Sequence, residues 1–241
     1  MRIGIMQPYF FPFLGHFALI KHVDAWVVFD TAQFRPRSYM VRNAVPKPDG
    51  GTQRVGISVD RGSIHKSVGQ THLKALEKDK VSLLGSLSHY KSKAKNYEQV
   101  INLVTKCFNG VGTTNLAMFN YRSLRETAEF LGITIEWLFA SNIDIDNARV
   151  QGPGDWAPLI AEALGATAYL NPIGGRHLFD AETFQNLGIE LQFLEFSEQP
   201  YQPNGYSYIP NMSVLDPLMW LSADSISDML DSASIERANT Y

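Results

Sequence analysis

The residues able to do chemistry gather at the ends of apolar runs. Gln7, Tyr9, Gly15 and His16 follow directly on the run Ile3-Gly4-Ile5-Met6. An imidazole such as His16 can take a proton from an incoming amine or hydroxyl near neutral pH. Asp30 closes a second apolar run, Ala25-Trp26-Val27-Val28-Phe29, and Gln33 stands in the loop after it. A carboxylate at that place can orient an imidazole or hold an amine; it can equally cap a loop, the commoner role of a lone acid. Arg35, Arg37, Arg42 and Asn43 form a basic-polar cluster close by. Guanidinium forks suit phosphate or carboxylate, and a solvated patch is the alternative. Farther on, Gly174-Gly175-Arg176 follows the run Ala168-Tyr169-Leu170-Asn171-Pro172. Paired glycines let backbone amides approach an anion, or simply make a tight turn.

These groups need strands that end where they stand. Ile3 to Met6 reads as a buried central strand, stopped by Pro8 and Pro12. Gly15 opens a helix with Phe17, Leu19, Ile20 and Val23 at helical spacing. Ala25–Asp30, Arg54–Asp60, Ile133–Phe139, Ala168–Pro172 and Gly188–Phe196 read as further strands. A turn is expected at Lys47–Gly51, and a polar loop, a candidate lid, over 61–71. Helices are expected across 72–107, from Thr114 to Leu131 with Gly132 as its stop, from Trp156 to Leu164, from the glycine loop through Phe184, over Val214–Leu221 and in the tail 222–241. Strands alternating with helices argue for an α/β fold with a mostly parallel sheet flanked by helices, Rossmann-like or HUP-like in its N-terminal half. In such a sheet ligands bind at the carboxyl ends of strands. One domain is expected over 1–241, with a soft boundary at 140–154 that would divide it into lobes 1–140 and 141–241.

Composition narrows the function. Apolar residues make up 45% of the chain and charged residues 19%, as in a globular protein. A net charge of -3 gives no general reason to expect nucleic acid or an anionic membrane as partner. The single cysteine, Cys107, excludes an internal disulfide and fits a reducing compartment; beside an apolar helix stripe it reads as a small core residue. The six histidines are scattered and none forms a His-x-x-x-His pair, so no metal centre is expected. The opening residues run straight into a strand with no apolar signal segment, and no apolar run reaches membrane-spanning length. A soluble cytoplasmic protein is the expectation. The aromatic, proline-rich stretch 200–206 is a candidate to wrap the site or a neighbouring subunit, so a homo-oligomer stays among the expected states.

The block Met6-Gln7-Pro8-Tyr9-Phe10-Phe11-Pro12-Phe13-Leu14-Gly15 resembles the WbqC-like family, as do Val28-Phe29-Asp30 with Gln33-Phe34, Arg42-Asn43, Leu131-Gly132-Ile133, Leu164-Gly165-Ala166, Gly174-Gly175 and Ser213-Val214-Leu215-Asp216. These blocks span nearly the whole chain. The chain departs from the pattern at Thr31, where a second acid is usual, at Tyr39, where tryptophan is usual, and at His16, a place often held by tyrosine. The family is associated with bacterial surface-polysaccharide and related small-molecule pathways. The resemblance implies an enzyme acting on a sugar, an amine or a carrier-bound acyl group.

Three readings follow. In the first, an acyl or aminoacyl group passes to an amine or hydroxyl; His16 is the base, Asp30 orients it or binds the amine, and Arg42 with Gly174-Gly175-Arg176 holds a phosphate of the donor. Gln7, Tyr9, Gly15, Gln33 and Asn43 complete the substrate site. In the second, Gly15-His16 is half of a His-x-Gly-His nucleotidyltransferase turn, with Phe13 in the first histidine's place, and the reaction is nucleotidyl transfer or adenylate formation. In the third, the chain binds a small or carrier-bound ligand without chemistry.

Overall fold

The computed structural model describes residues 1–60, 62–109, 112 and 114–238. Its elements run β1 (Arg2–Met6), α1 (Leu14–Lys21), β2 (Ala25–Val28), β3 (Arg42–Pro46), β4 (Thr52–Gly56), α2 (Leu76–Leu87), α3 (Tyr97–Asn109), α4 (Leu116–Phe130), β5 (Glu136–Phe139), α5 (Trp156–Ala163), β6 (Ala168–Pro172), α6 (Ala181–Asn186), β7 (Glu190–Glu195), α7 (Leu215–Trp220), α8 (Ala223–Asp231) and β8 (Ser234–Arg237). Six strands form one sheet in the order β5-β2-β1-β6-β7-β8. All neighbours are parallel except β8, which pairs antiparallel with β7. The chain is α/β and Rossmann-like, and the sheet takes strands from both sides of the 140–154 segment.

Period-two alternation decides which face each side chain takes. Ile3, Ile5, Ala25, Val27, Tyr169, Leu191 and Phe193 pack on one face with Ile160 of α5 and Phe184 of α6. Trp26, Val28, Leu170 and Leu194 share the opposite core with Phe17 and Ile20 of α1, Leu124 of α4 and Ile226 of α8. Gly4 lies opposite Trp26 in the ladder, and a Cβ there would stand 3.1 Å from the indole, so only glycine lets that ring lie across β1. α1 is buried all round, its apolar sequence leaving no wet face. Asn115 caps α4 by accepting from the Met118 amide at 3.0 Å, and Gly132 ends the helix with φ +73°.

The ladders differ in length in a way that matters below. β1 pairs with β2 from Ile3 to Met6, and β6 with β7 from Ala168 to Pro172. Between β1 and β6 the pairing covers Arg2–Ala168 and Ile3–Tyr169 alone. The chain builds outward from β1 through β2 to β5, then returns to the other side of β1 with β6 and β7. The two strands thus part at the topological switch point, where α/β sheets hold ligands.

Several sequence expectations are corrected. The strand expected over Arg54–Asp60 is shorter and lies outside the sheet, as Thr52–Gly56 in a hairpin with Arg42–Pro46; Gly50 and Gly51, both at positive φ, close its turn. The 72–107 stretch begins with bridges at His72 and Leu73 before α2. The tail is not one helix: Ser232 and Ala233 end α8, and Ser234–Arg237 adds β8 to the sheet edge. Ile173–Leu178 is a 3-10 turn rather than the start of a helix, and α6 forms only from Ala181. The end of the expected tail, 239–241, and Arg61 at the head of the expected lid lie outside the described residues. The aromatic stretch 200–208 packs onto the core. Tyr206 stacks on Tyr90 at 5.4 Å, and the hydroxyls of Tyr90 and Tyr201 donate with Trp220 Nε1 to buried Asp216.

Candidate functional site

A cavity of about 400 Å³ opens where β1 and β6 part. Ile5, Met6 and Gln7 line it from β1 and its exit; Tyr169, Asn171 and Pro172 line it from β6. Phe29, Trp156 and Ala157 close one wall, with the Phe29 and Trp156 rings 5.6 Å apart. Tyr9, Gly174, Gly175 and Leu178 line it as well. Among the described residues none that lines it carries a formal charge.

The polar groups are few and placed. The Tyr9 hydroxyl donates to Gln7 Oε1 at 3.3 Å. Burial and the neighbouring Tyr39 hydroxyl raise the Tyr9 pKa, so this phenol serves as a donor and not a base. With its oxygen engaged, Gln7 has its amide Nε2–H₂ left to offer the cavity. The Tyr169 hydroxyl donates to Asn171 Oδ1 at 3.0 Å, and Asn171 Nδ2 donates to the Pro172 carbonyl at 2.9 Å. A Cβ on Gly175 would come within 2.3 Å of Asn171 Nδ2, so glycine is required for the turn to close on that amide. Gly174 has open space where a Cβ would stand.

The loop Pro8–Pro12 that carries Tyr9 is fixed from beneath. Phe11 adopts φ +38°, uncommon for a bulky residue. Its carbonyl accepts from Asn43 Nδ2 at 2.7 Å and from Ser213 Oγ at 2.8 Å. Asn120, buried in α4, donates to the carbonyls of Pro8 at 2.9 Å and Met40 at 2.8 Å.

The structure brings Gln7, Tyr9, Gly174 and Gly175 together at the cavity. It places the other sequence candidates elsewhere. His16 is buried on α1 between the rings of Tyr9 and Trp26, at 5.4 and 5.1 Å, with Nε2 unbonded. Burial pushes its pKa down to about 3, which leaves a neutral imidazole and a weak base. Gly15 lies beside it inside α1, against the Phe13 ring. Asp30 is buried and accepts from the Ser141 amide at 3.0 Å, tying the exits of β2 and β5; the loop-acid alternative describes it. Gln33 is exposed and donates to the Ile64 carbonyl at 3.3 Å. Arg176 turns from its glycine neighbours, pairs with Glu236 of β8 and lies over the Phe193 ring at 4.4 Å. Asn43 supports the loop, while Arg42 opens into a second pocket beside it. Tyr169, Asn171, Phe29 and Trp156 were missed as site residues. Asn171-Pro172 at a strand end was the available signal, since proline stops the ladder where a cavity can begin.

Among the described residues no group of His, Cys, Asp and Glu could hold a metal ion, and no helix is long and apolar enough to cross a membrane.

A mostly parallel sheet flanked by helices, with a small-molecule-sized crevice at its switch point, defines an α/β protein of the Rossmann-like class. The profile of the WbqC-like protein family matches residues 7–228, and the chain belongs to that family. It is similar to the "Uncharacterized protein Rv1507c" of Mycobacterium tuberculosis (strain ATCC 25618 / H37Rv), 24% identical over 226 residues, which cover 93% of this chain and 95% of that protein. No solved structure matches.

Proposed function

We propose that this chain is a cytoplasmic transferase of a bacterial surface-polysaccharide or related small-molecule pathway. It passes an acyl or aminoacyl group from a small or carrier-bound donor to an amine or hydroxyl acceptor. The observation that carries this reading is the uncharged, aromatic-walled crevice that Gln7 lines. Such a crevice suits a neutral carbonyl and its alkyl or sugar surroundings.

Acyl transfer needs a donor where negative charge develops on the carbonyl oxygen. The nucleophile's nitrogen or oxygen bonds to the carbonyl carbon, the carbon's bond to the leaving group breaks, and the nucleophile's proton leaves with that group. Gln7 Nε2–H donates to the carbonyl oxygen as the tetrahedral centre forms, and the Tyr9 hydroxyl holds Gln7 in that orientation. Removing one such donor costs about 100- to 1,000-fold in kcat. With His16 so weak a base and outside the lining, the proton passes to the leaving group and not to imidazole.

Thermal melts with acyl-coenzyme A, a nucleotide sugar and Mg-ATP test the reading. A ligand at 100 times its dissociation constant adds about 2.7 kcal/mol to stability. A shift with either of the first two, followed by turnover that Gln7→Ala cuts about 100-fold with little change in KM, is the expected result. A shift with Mg-ATP alone, with pyrophosphate released on turnover, would replace acyl transfer by nucleotidyl transfer.

A further inference from the structure

Beside the crevice lies a second pocket of about 290 Å³, and three arginines line it: Arg37, Arg42 and Arg54. The hairpin register puts two of them together. Ala44 pairs with Arg54 and Arg42 with Gly56, so Arg42 and Arg54 stand diagonally on one face. Gly56 lets β4 lie close to the start of β3, because a Cβ there would stand 2.7 Å from the Val41 carbonyl oxygen and 3.2 Å from Arg42 Cβ. Arg37 joins from the preceding loop, held at φ +61°.

Their charge is uncompensated. Among the described residues the lining includes no acid, and none of the three side chains forms an ion pair or hydrogen bond. Arg122, Arg125, Arg149, Arg176 and Arg237 are all paired with glutamates. Gathering like charges without partners is unfavourable in the empty protein and becomes favourable when an anion enters. A left-handed backbone also marks the place: Arg37 and Asn211, at φ +61° and +58°, both line the pocket, and for Arg37 that conformation is uncommon. Such a conformation persists where surrounding structure enforces it, and it clusters at ligand sites. Here the Ser213 amide donates to the Ala44 carbonyl at 2.9 Å and clamps the 211–212 wall to the hairpin.

The pocket adjoins the crevice. Tyr39 lines the first, Tyr9 lines the second, and their rings are 5.8 Å apart. We infer that the Arg37–Arg42–Arg54 pocket is a phosphate-binding site, which holds the phosphate or pyrophosphate of a ligand whose uncharged end reaches the crevice. Guanidinium forks match phosphate oxygens bidentately, which three scattered lysines would not. The assignment stands on the hairpin geometry and does not depend on the transfer chemistry; taken with that reading, it makes the donor a phosphorylated carrier.

Inorganic pyrophosphate, titrated into the intact protein by calorimetry at low salt, is the test. One site per chain is expected. Arg54→Gln should weaken binding at least about tenfold, the size of one charge-assisted contact, and Arg54→Lys should fall between, since it keeps charge but loses the fork. Circular dichroism checks the fold of each variant, and Arg37→Gln, in a surface loop, reads the same loss should Arg54→Gln unfold. No binding heat, or unchanged affinity in folded Arg54→Gln and Arg37→Gln, would overturn the site. Displacement by acetate at the concentrations that serve for pyrophosphate would overturn the phosphate assignment. Displacement by coenzyme A, and not by uridine diphosphate, would identify a coenzyme A-type donor; the reverse would identify a uridine nucleotide. Pyrophosphate binding needs no turnover, so failure of this site and failure of acyl transfer are separately visible.

Discussion

Asn43 Nδ2 donates to the carbonyl oxygen of Phe11 at 2.7 Å, and through that bond a hairpin holds the loop that carries Tyr9. The same nitrogen lies 3.5 Å from the Phe10 carbonyl, and Asn43 Oδ1 accepts from the Ala44 amide at 2.9 Å. The loop's positive-φ residue is thus stabilised from outside itself. Asn43→Ala should cost about 1–3 kcal/mol of stability, with Ser213 Oγ still serving the Phe11 carbonyl. Asn43→Asp should cost more despite its matching shape, because a carboxylate would face two carbonyl oxygens. Urea denaturation of both variants, and of Asn43→Ala with Ser213→Ala, reads this out. The double variant orphans the carbonyl, so its loss should exceed the sum of the single losses. Additive losses would remove the shared acceptor from the account.

Part of the candidate site's placement was legible in the sequence and part was not, for physical reasons. Gln7 and the paired glycines were visible because parallel strands show as apolar runs and their exits carry ligands. Asn43 read as a ligand group because polar residues beside arginines look alike, whatever they bond. Its partner lies 32 residues away and depends on the backbone of Phe11, which no composition rule marks. Arg54 joins Arg42 only through hairpin register, and that hairpin lacks apolar alternation. β8 carries one apolar residue, Ile235; it is a strand because β7 offers a free edge, not because its own pattern demands one. His16 misled through its neighbours: Gly15 and His16 resemble a phosphate turn, yet the helix containing them is buried on every side.

His16 also gives the chain an acid limit. Its pKa is ordinary in the unfolded chain, near 6.5, and about 3 in the folded one. Below 6.5 the unfolded chain takes a proton that the folded chain refuses. Stability from this group is therefore complete above about pH 6.5 and lost as pH falls toward about 3, at roughly 1.4 kcal/mol per pH unit at steepest. His16→Leu removes the titration together with the unbonded Nε2. Urea melts of wild type and variant between pH 7 and pH 4 should diverge steadily as pH drops. Parallel curves over that range would refute a buried neutral imidazole.

Cys107 should be chemically silent in the native protein. It is fully buried on α3, and burial pushes its thiol up to about 12. A disulfide exchange reagent at pH 8 needs both thiolate and access, and here it has neither. Colour release should be negligible without denaturant and rise to one thiol per chain in urea, at a rate set by opening of the helix. Full reaction within seconds in native buffer would contradict the packing of α3 against α4.

Gly175 and Asn171 should behave as one unit. Any Cβ at residue 175 must displace the Asn171 amide, which is itself held by the Tyr169 hydroxyl and the Pro172 carbonyl. Gly175→Ala should therefore destabilise by about 1–3 kcal/mol, the range for forced overpacking, and weaken any ligand that enters the crevice. Asn171→Ala removes the obstacle, so Gly175→Ala should cost much less in that background. A double-mutant cycle on melting temperature and ligand affinity measures this coupling, expected at about 0.5–3 kcal/mol for groups in contact. Strict additivity would mean that the turn after β6 yields elsewhere, and that glycine at 175 is not what keeps the Asn171 amide in place at the crevice wall.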